Sequence, residues 1–386
     1  PTMGGYSPEP FSVADQQTVT VKHQFPVAAV NVDGLSGTKL WRGRLTLNEW
    51  INWQADWKLS ADQNFAMLRL AKPGVQPRPV LLQKKGGSFS AVSSEPFVPA
   101  GTVEAWGGRH SDIPDAYQNA KFIDVDAGKN HTVGLLEDGQ VVCWGDNSFG
   151  QSRVAANVGK CIMIAAGDNH TVVLQADGTV LAWGANRTGQ SKVPDDLGPC
   201  VAISAATERS AAIRADGSIS GWGYGSYQLA TKTPWRPFVH LSVGAKYIMA
   251  LDDQATASVF IQTATQVGTP RQQGALATAA GACISATGGA SMAHFLKIDG
   301  TLVNITSNPR APKPPTSLGR LATVSAAYDR FAATDANGNV IIWGRKTGIT
   351  TKYGFERKTD SGQYWYRSGK YLKVVCGESH YVAIKR

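Results

Sequence analysis

The stretch that decides the fold is AGKNHTVGLLEDGQVVCWGDNSFGQ, residues 127–151, because it recurs without a gap as AGDNHTVVLQADGTVLAWGANRTGQ at residues 166–190. The offset of 39 residues superposes Gly128 on Gly167, His131 on His170, Asp138 on Asp177, Trp144 on Trp183 and Gln151 on Gln190. A third copy, AATERSAAIRADGSISGWGYGSYQ, follows at the same spacing with Ala206, Arg209, Asp216 and Trp222. Fixed-period self-similarity of this length signals a repeat architecture.

Working outward, weaker copies begin their turns at Gly244, Gly289, Ala327 and Gly377, which makes seven units. Each reads as alternating strands around a D-G hairpin turn, where glycine supplies the positive φ. The last unit, CGESHYVAIKR, has the G-x-x-H turn but lacks the D-G turn and the W-G strand. The missing piece stands at the other end, where GTVEAWGG at 101–108 has no G-x-x-H half before it. The pattern therefore predicts an all-β, seven-bladed β-propeller over 101–386, whose final blade joins the C-terminus to residues 101–108. Such closure removes exposed sheet edges. The tryptophans at one register (106, 144, 183, 222, 343) and Cys161, Cys200 and Cys283 at another are read as core packing.

The signature G-x-x-H-[TS]-x-x-L-x-x-D-G-x-[VL]-x-x-W-G-x-N-x-x-G-Q resembles the repeat of the regulator of chromosome condensation superfamily. In repeat length it is nearer to compact bacterial members, among them propellers that inhibit β-lactamases, than to the longer nuclear ones. The resemblance implies a binding scaffold. Its functions diverge, from nucleotide exchange on a small GTPase and chromatin binding to UV-B sensing, so it speaks to fold more than to activity.

Residues 1–100 do not fit the repeat. TVTVKHQFPVAAVNVDG (18–34), MLRLAKPG (67–74) and RPVLLQKKGG (78–87) read as short strands, giving a separate N-terminal β-rich domain. LNEWINWQADWKLS (47–60) is ambiguous: Trp50, Trp53 and Trp57 share a helix face, while Trp53, Ala55, Trp57 and Leu59 alternate as in a strand. The tryptophan stripe is read as packing, with a sugar- or lipid-binding surface as the alternative.

The bulk properties fit a globular chain, 42% hydrophobic and 17% charged, with no apolar run near the roughly 20 residues of a membrane helix. The net charge of +9 allows an acidic partner, but Lys and Arg are dispersed rather than clustered. Five cysteines without a C-x-x-C pair suit neither a disulfide framework nor a zinc site. The compartment, secreted or cytoplasmic, stays open.

No G-x-S-x-G elbow, P-loop, H-E-x-x-H or dinucleotide fingerprint is present, so no enzyme, cofactor or metal is expected. Asp124 and Asp126 superficially resemble part of a calcium loop, without the remaining ligands. The sequons at Asn130, Asn169 and Asn186 arise from repeat turns. His131, His170 and His380 are read as stabilising those turns by bonds to backbone, with metal or anion binding in a channel as the alternative.

Loops carry specificity on such scaffolds. The first candidate partner surface is the set of loops after the repeat glycines: Lys129, Asn130, Asp168, Asn169, Glu208, Arg209, Lys246, Tyr247, Tyr328, Asp329, Arg330 and Glu378. The second is the basic, aromatic insertion at 345–370, with Tyr353, Phe355, Arg357, Tyr364, Trp365, Tyr366 and Arg367, a composition typical of binding hot spots. The alternative for that insertion is a hairpin folded on the propeller edge. Three functional readings follow: a protein-binding propeller, as in a bacterial secreted toxin, inhibitor or effector; a lectin-like glycan-binding module; and an exchange factor or nucleic-acid binder.

Overall fold

The computed structural model describes the backbone of seven strands within residues 16–91, and residues 100–386 apart from 109–111, 176–177, 215–216, 226, 230–237, 246, 253–256, 262–270, 273–282, 290–291, 298–299, 307–310, 317, 345–346 and 360–362. The chain divides into two compact units, Pro1–Pro96 and Phe97–Arg386.

The first unit holds β1 (Gln16–Val19), β2 (Val30–Asp33), β3 (Trp41–Leu47), β4 (Trp50–Leu59), β5 (Phe65–Lys72), β6 (Val75–Lys85) and β7 (Ser88–Ala91). They form one sheet in the order β2-β1-β7-β6-β5-β4-β3. The tryptophan-rich segment is a strand: β4 runs antiparallel to β3, with Trp57 opposite Trp41 and Trp53 opposite Leu45. Alternation, not helical spacing, decides that segment. The side chains of the tryptophan stripe lie outside the described residues.

The second unit repeats one motif. Blade 1 is the antiparallel sheet of Phe122–Ala127, His131–Leu136 and Val141–Gly145, and blade 2 that of Cys161–Ala166, His170–Gln175 and Val180–Gly184. Blades 3, 4 and 5 begin at Cys200, Phe238 and Cys283, and blade 6 at Leu321. Blade 7 pairs Tyr371–Cys376 with His380–Lys385 and is completed by Thr102–Gly107, with Tyr381 opposite Trp106. Among the described residues there are thus seven such sheets.

What holds them together is apolar burial at each seam, worth about 25 cal/mol per Å² removed from water. Val133, Leu135, Cys161, Ile164 and Trp183 fill the seam between blades 1 and 2. Val172, Leu174, Cys200, Ile203 and Trp222 fill the next. The last seam returns to the first blade, with Val375, Val382 and Ile384 packed on Phe122, Val125 and Trp144. Each repeat tryptophan therefore packs against the blade before its own. Register fixes what each face carries. His131 lies opposite Gly145 and Leu135 opposite Val141, so the Gly-x-x-His turns and the loops after the third strands open on one face, and the D-G turns on the other.

Candidate functional site

The turn face is built by bonds that run from blade to blade. His380 Nε2 meets the Thr132 hydroxyl at 2.7 Å, His131 Nε2 meets Thr171 Oγ1 at 3.1 Å, and His170 Nε2 meets Ser210 Oγ at 2.9 Å. These histidines are fully buried. Each Nε2 reaches the hydroxyl of the next blade because the ring projects across the seam, and backbone groups of that blade also bond His131 and His170. Burial holds His131 and His170 neutral, pushing both down to about 4.

The ring also explains the glycine. A Cβ at Gly128 would stand 2.3 Å from the His131 ring, and one at Gly167 2.0 Å from that of His170. Where the chain has alanine at this register, Ala206 and Ala327, the histidine register holds Arg209 and Arg330. Alanine thus goes with arginine, whereas glycine stands before histidine in three turns and before Tyr247 and Met292 at Gly244 and Gly289.

Beneath the turns, a hydroxyl or carboxylate accepts an amide from the next innermost strand at four of the seams. Ala166 N donates to Asp126 Oδ2 at 2.8 Å, Val243 N to Ser204 Oγ at 3.0 Å, Ala326 N to Thr287 Oγ1 at 3.1 Å and Cys376 N to Ser325 Oγ at 3.1 Å. Asp126 and Asp124 are accordingly structural, the latter pairing with Lys373 at 2.7 Å. These strands enclose a central cavity of ≈ 140 Å³ to which all seven blades contribute. At its rim Tyr328 Oη donates to Asp168 Oδ2 at 2.5 Å, joining blade 6 to blade 2. Lys129 and Glu378 pair at 3.1 Å, their side chains 43% and 34% exposed.

The expected face residues separate into two groups. Lys129, Asp168, Tyr328 and Glu378 converge on the rim, and Glu208 is held beside them by Arg187 at 2.7 Å. Asn130 and Asn169 are half-buried and accept amide bonds through their carbonyls, and Asp329 is half-buried too. Arg209 does not reach a partner surface: it is buried, donating from Nε to Tyr224 O at 2.9 Å and from Nη1 to Ala245 O at 2.8 Å. Arg330 has its Nη1 shielded from solvent without a hydrogen-bond partner. Lys246 and the Tyr247 side chain lie outside the described residues.

Three residues on this face escaped the sequence reading. Phe149 and Tyr224, 57% and 46% exposed, are the exposed large hydrophobics among the described residues. The Arg187 side chain is 80% exposed. All three sit in the loops after the third strands of blades 1, 3 and 2. Each loop is braced: Phe149 N donates to Gln151 Oε1 at 2.8 Å, Thr188 N to Gln190 Oε1 at 2.9 Å, and the Arg209 guanidinium lies 5.4 Å from the Tyr224 ring centre. The available signal was a contrast within the repeat, Phe149 standing where blade 2 has Thr188.

The insertion adds strands to blade 6. Tyr364–Arg367 pairs with Val340–Gly344, and Glu356–Lys358 pairs with Tyr364–Arg367. Two of its predicted contact residues are structural instead. Phe355 is buried. Arg367 bonds Glu104 at 2.9 Å and lies 5.0 Å from the Trp106 ring centre and 5.7 Å from those of Phe355 and Tyr371. Trp365 packs on the seam of blades 6 and 7, Tyr364 and Tyr366 on that of blades 5 and 6, and Tyr353 Oη donates to Gly107 O at 3.1 Å. Arg357 is exposed. The hairpin alternative describes this segment.

The profile of the regulator of chromosome condensation (RCC1) repeat matches residues 122–151 and 163–190. The unit from Phe97 on is an RCC1-like β-propeller. Its fold is shared with Prp20p from Saccharomyces cerevisiae, at 14% identity over 76% of this chain and 94% of that one, with a TM-score of 0.56. The yeast RCC1 (Prp20) crystallised with Kap60 gives 15% identity over 76% and 92%, with the same TM-score. No curated protein matches the chain in a sequence search. Among the described residues of the RCC1-like chain, no helix is long and apolar enough to cross a membrane.

Proposed function

We propose that this RCC1-like propeller is a non-catalytic protein-binding module whose partner docks on the turn face over blades 1 to 3. The observation that carries this reading is Phe149 and Tyr224 standing exposed there with Arg187, on braced loops. Aromatic residues and arginine dominate binding energy at interfaces, and rigid presentation lowers the entropic cost of association. The histidines that acid–base chemistry would need are buried, neutral and committed to structure. The yeast neighbour is described by its binding to Gsp1p and histones, and in complex with Kap60, which supports a propeller used as a platform for proteins.

The test is cross-linking capture by the full chain, followed by mass spectrometry and affinity measurement on the captured protein. Phe149→Ala with Tyr224→Ala weakens binding at least tenfold, whereas Glu137→Ala on the opposite face does not. Equal affinity of the double variant and the wild type removes the reading.

A further inference from the structure

The central cavity differs in chemistry from the aromatic loops around it. Its lining brings together Asp126, Asp168 and Glu378 against one cation, Lys129, with the hydroxyls of Ser204, Ser242, Thr287, Ser325 and Tyr328. The rest of the lining is glycine, alanine and backbone with Val243 and Cys376, so the space is more polar than apolar. At ≈ 140 Å³ it far exceeds the roughly 10–15 Å³ that admits a single water. Glu378 Oε2 faces the Lys129 ammonium at 3.1 Å, an ion pair at the rim. With Lys129 engaged by Glu378, the lining still carries three carboxylates against one ammonium, a balance that favours a further cation.

We infer that this cavity binds a compact organic cation, a primary ammonium or a guanidinium, through Asp168 and Glu378, with the Tyr328 phenol occupying Asp168 when the site is empty. The donors fit such a ligand: an ammonium offers three N–H groups and a guanidinium five, to carboxylate and hydroxyl acceptors spaced around an axis. A bare metal ion fits less well, since no three His, Cys, Asp or Glu side chains gather among the described residues at ligating spacing. The phenol competes with the ligand for Asp168, because its bond to Oδ2 takes one of the carboxylate's acceptor sites. Burial first, and then the nearby Glu378 and Glu208, raise the Asp168 carboxyl above its ordinary range, an effect a bound cation would reverse.

The cation could arrive as a free amine or on a lysine of a docked chain, and the experiment separates the two. Calorimetric titration of the full-length protein uses n-butylammonium, agmatine and a capped Gly-Gly-Lys-Gly-Gly peptide, with n-butanol as the neutral control. Saturable binding of at least one cation is expected, weakened at least tenfold by Asp168→Asn with Glu378→Gln and strengthened by Tyr328→Phe. Binding of the peptide alone assigns the source to a docked chain, and binding of the amines to a free ligand. Absence of saturable binding by all three cations overturns the inference, as does affinity indifferent to the double variant while circular dichroism confirms it folded. Neither result bears on Phe149 and Tyr224, which lie outside the cavity.

Discussion

His131 Nε2 and Thr171 Oγ1 meet at 3.1 Å across the seam between blades 1 and 2. Thr171 already donates its proton to the Gln151 carbonyl at 3.0 Å, so the hydroxyl accepts and the imidazole donates from Nε2. The seam is therefore held by a directed bond as well as by apolar packing.

Two consequences follow for stability. A double-mutant cycle of His131→Ala and Thr171→Val gives a coupling of about 1 kcal/mol in urea unfolding. The histidines also set an acid limit. Their folded pKa of about 4 lies below the ordinary 6.5 of an imidazole, so their contribution is complete above pH 6.5 and is lost as pH falls toward 4. Between pH 7 and pH 5 the loss is on the order of 2 kcal/mol per histidine. A protein as stable at pH 5 as at pH 7 contradicts this account.

The repeat tryptophans should differ in cost despite sharing a register. Trp183 Nε1 donates to Gln151 O and Trp222 Nε1 to Gln190 O, each at 3.0 Å, whereas Trp144 and Trp343 leave Nε1 buried without a partner. The volume removed by Trp→Phe is the same in all four. Trp183→Phe therefore destabilises by about 1–2 kcal/mol more than Trp144→Phe, which loses no bond. Denaturant midpoints of the two variants decide it.

These bonds also show why the sequence yields the blades more readily than their fastenings. The strands are legible because alternation and the D-G turn act within some twenty residues, and so is the joining of residues 101–108 to the last blade, since each half-repeat lacks what the other has. The His131–Thr171 bond joins residues of different repeats, and no local pattern announces it. The insertion misleads for a related reason. Aromatics with arginine form the same composition whether they face a partner or, as with Arg367 and Phe355, one another.

Glycine at position 167 should be required because of the His170 imidazole, whereas Gly289 meets the Tyr328 carbonyl instead. Gly167→Ala places its Cβ 2.0 Å from the His170 ring and is expected to cost about 2 kcal/mol or more through displacement of that ring. In a His170→Arg background, which reproduces the Ala206 and Arg209 pairing of blade 3, the added cost of alanine falls by at least about 1 kcal/mol. Additive costs in the cycle contradict the steric explanation.

Arg367 is predicted to stabilise the seam between blades 6 and 7 rather than to bind a partner. Its ion pair with Glu104 and its place among Trp106, Phe355 and Tyr371 are largely shielded from water. Arg367→Ala therefore costs about 2 kcal/mol. Arg367→Lys recovers only part, since an ammonium keeps the charge but loses the flat stacking surface. Calorimetric melting of both variants tests the ranking.

Asp126 is the ionisable member of a set otherwise made of hydroxyls, Ser204, Thr287 and Ser325. Burial raises its carboxyl from 3.8 to about 6, although Lys373 and two amide donors work the other way. A folded pKa above the unfolded one means that its contribution is complete below pH 3.8 and is lost as pH rises through 6. The ionised form at pH 8 thus burdens the fold by up to roughly 3 kcal/mol. Asp126→Ser keeps an acceptor for the Ala166 amide, as Ser204 does for Val243. It should unfold at higher urea than the wild type at pH 8, with the advantage shrinking below pH 5. This dependence runs opposite to that of the histidines, so the Asp126→Ser variant loses more stability between pH 7 and pH 5 than the wild type does. A variant less stable than the wild type at pH 8 would show that the carboxylate's bonds outweigh its burial.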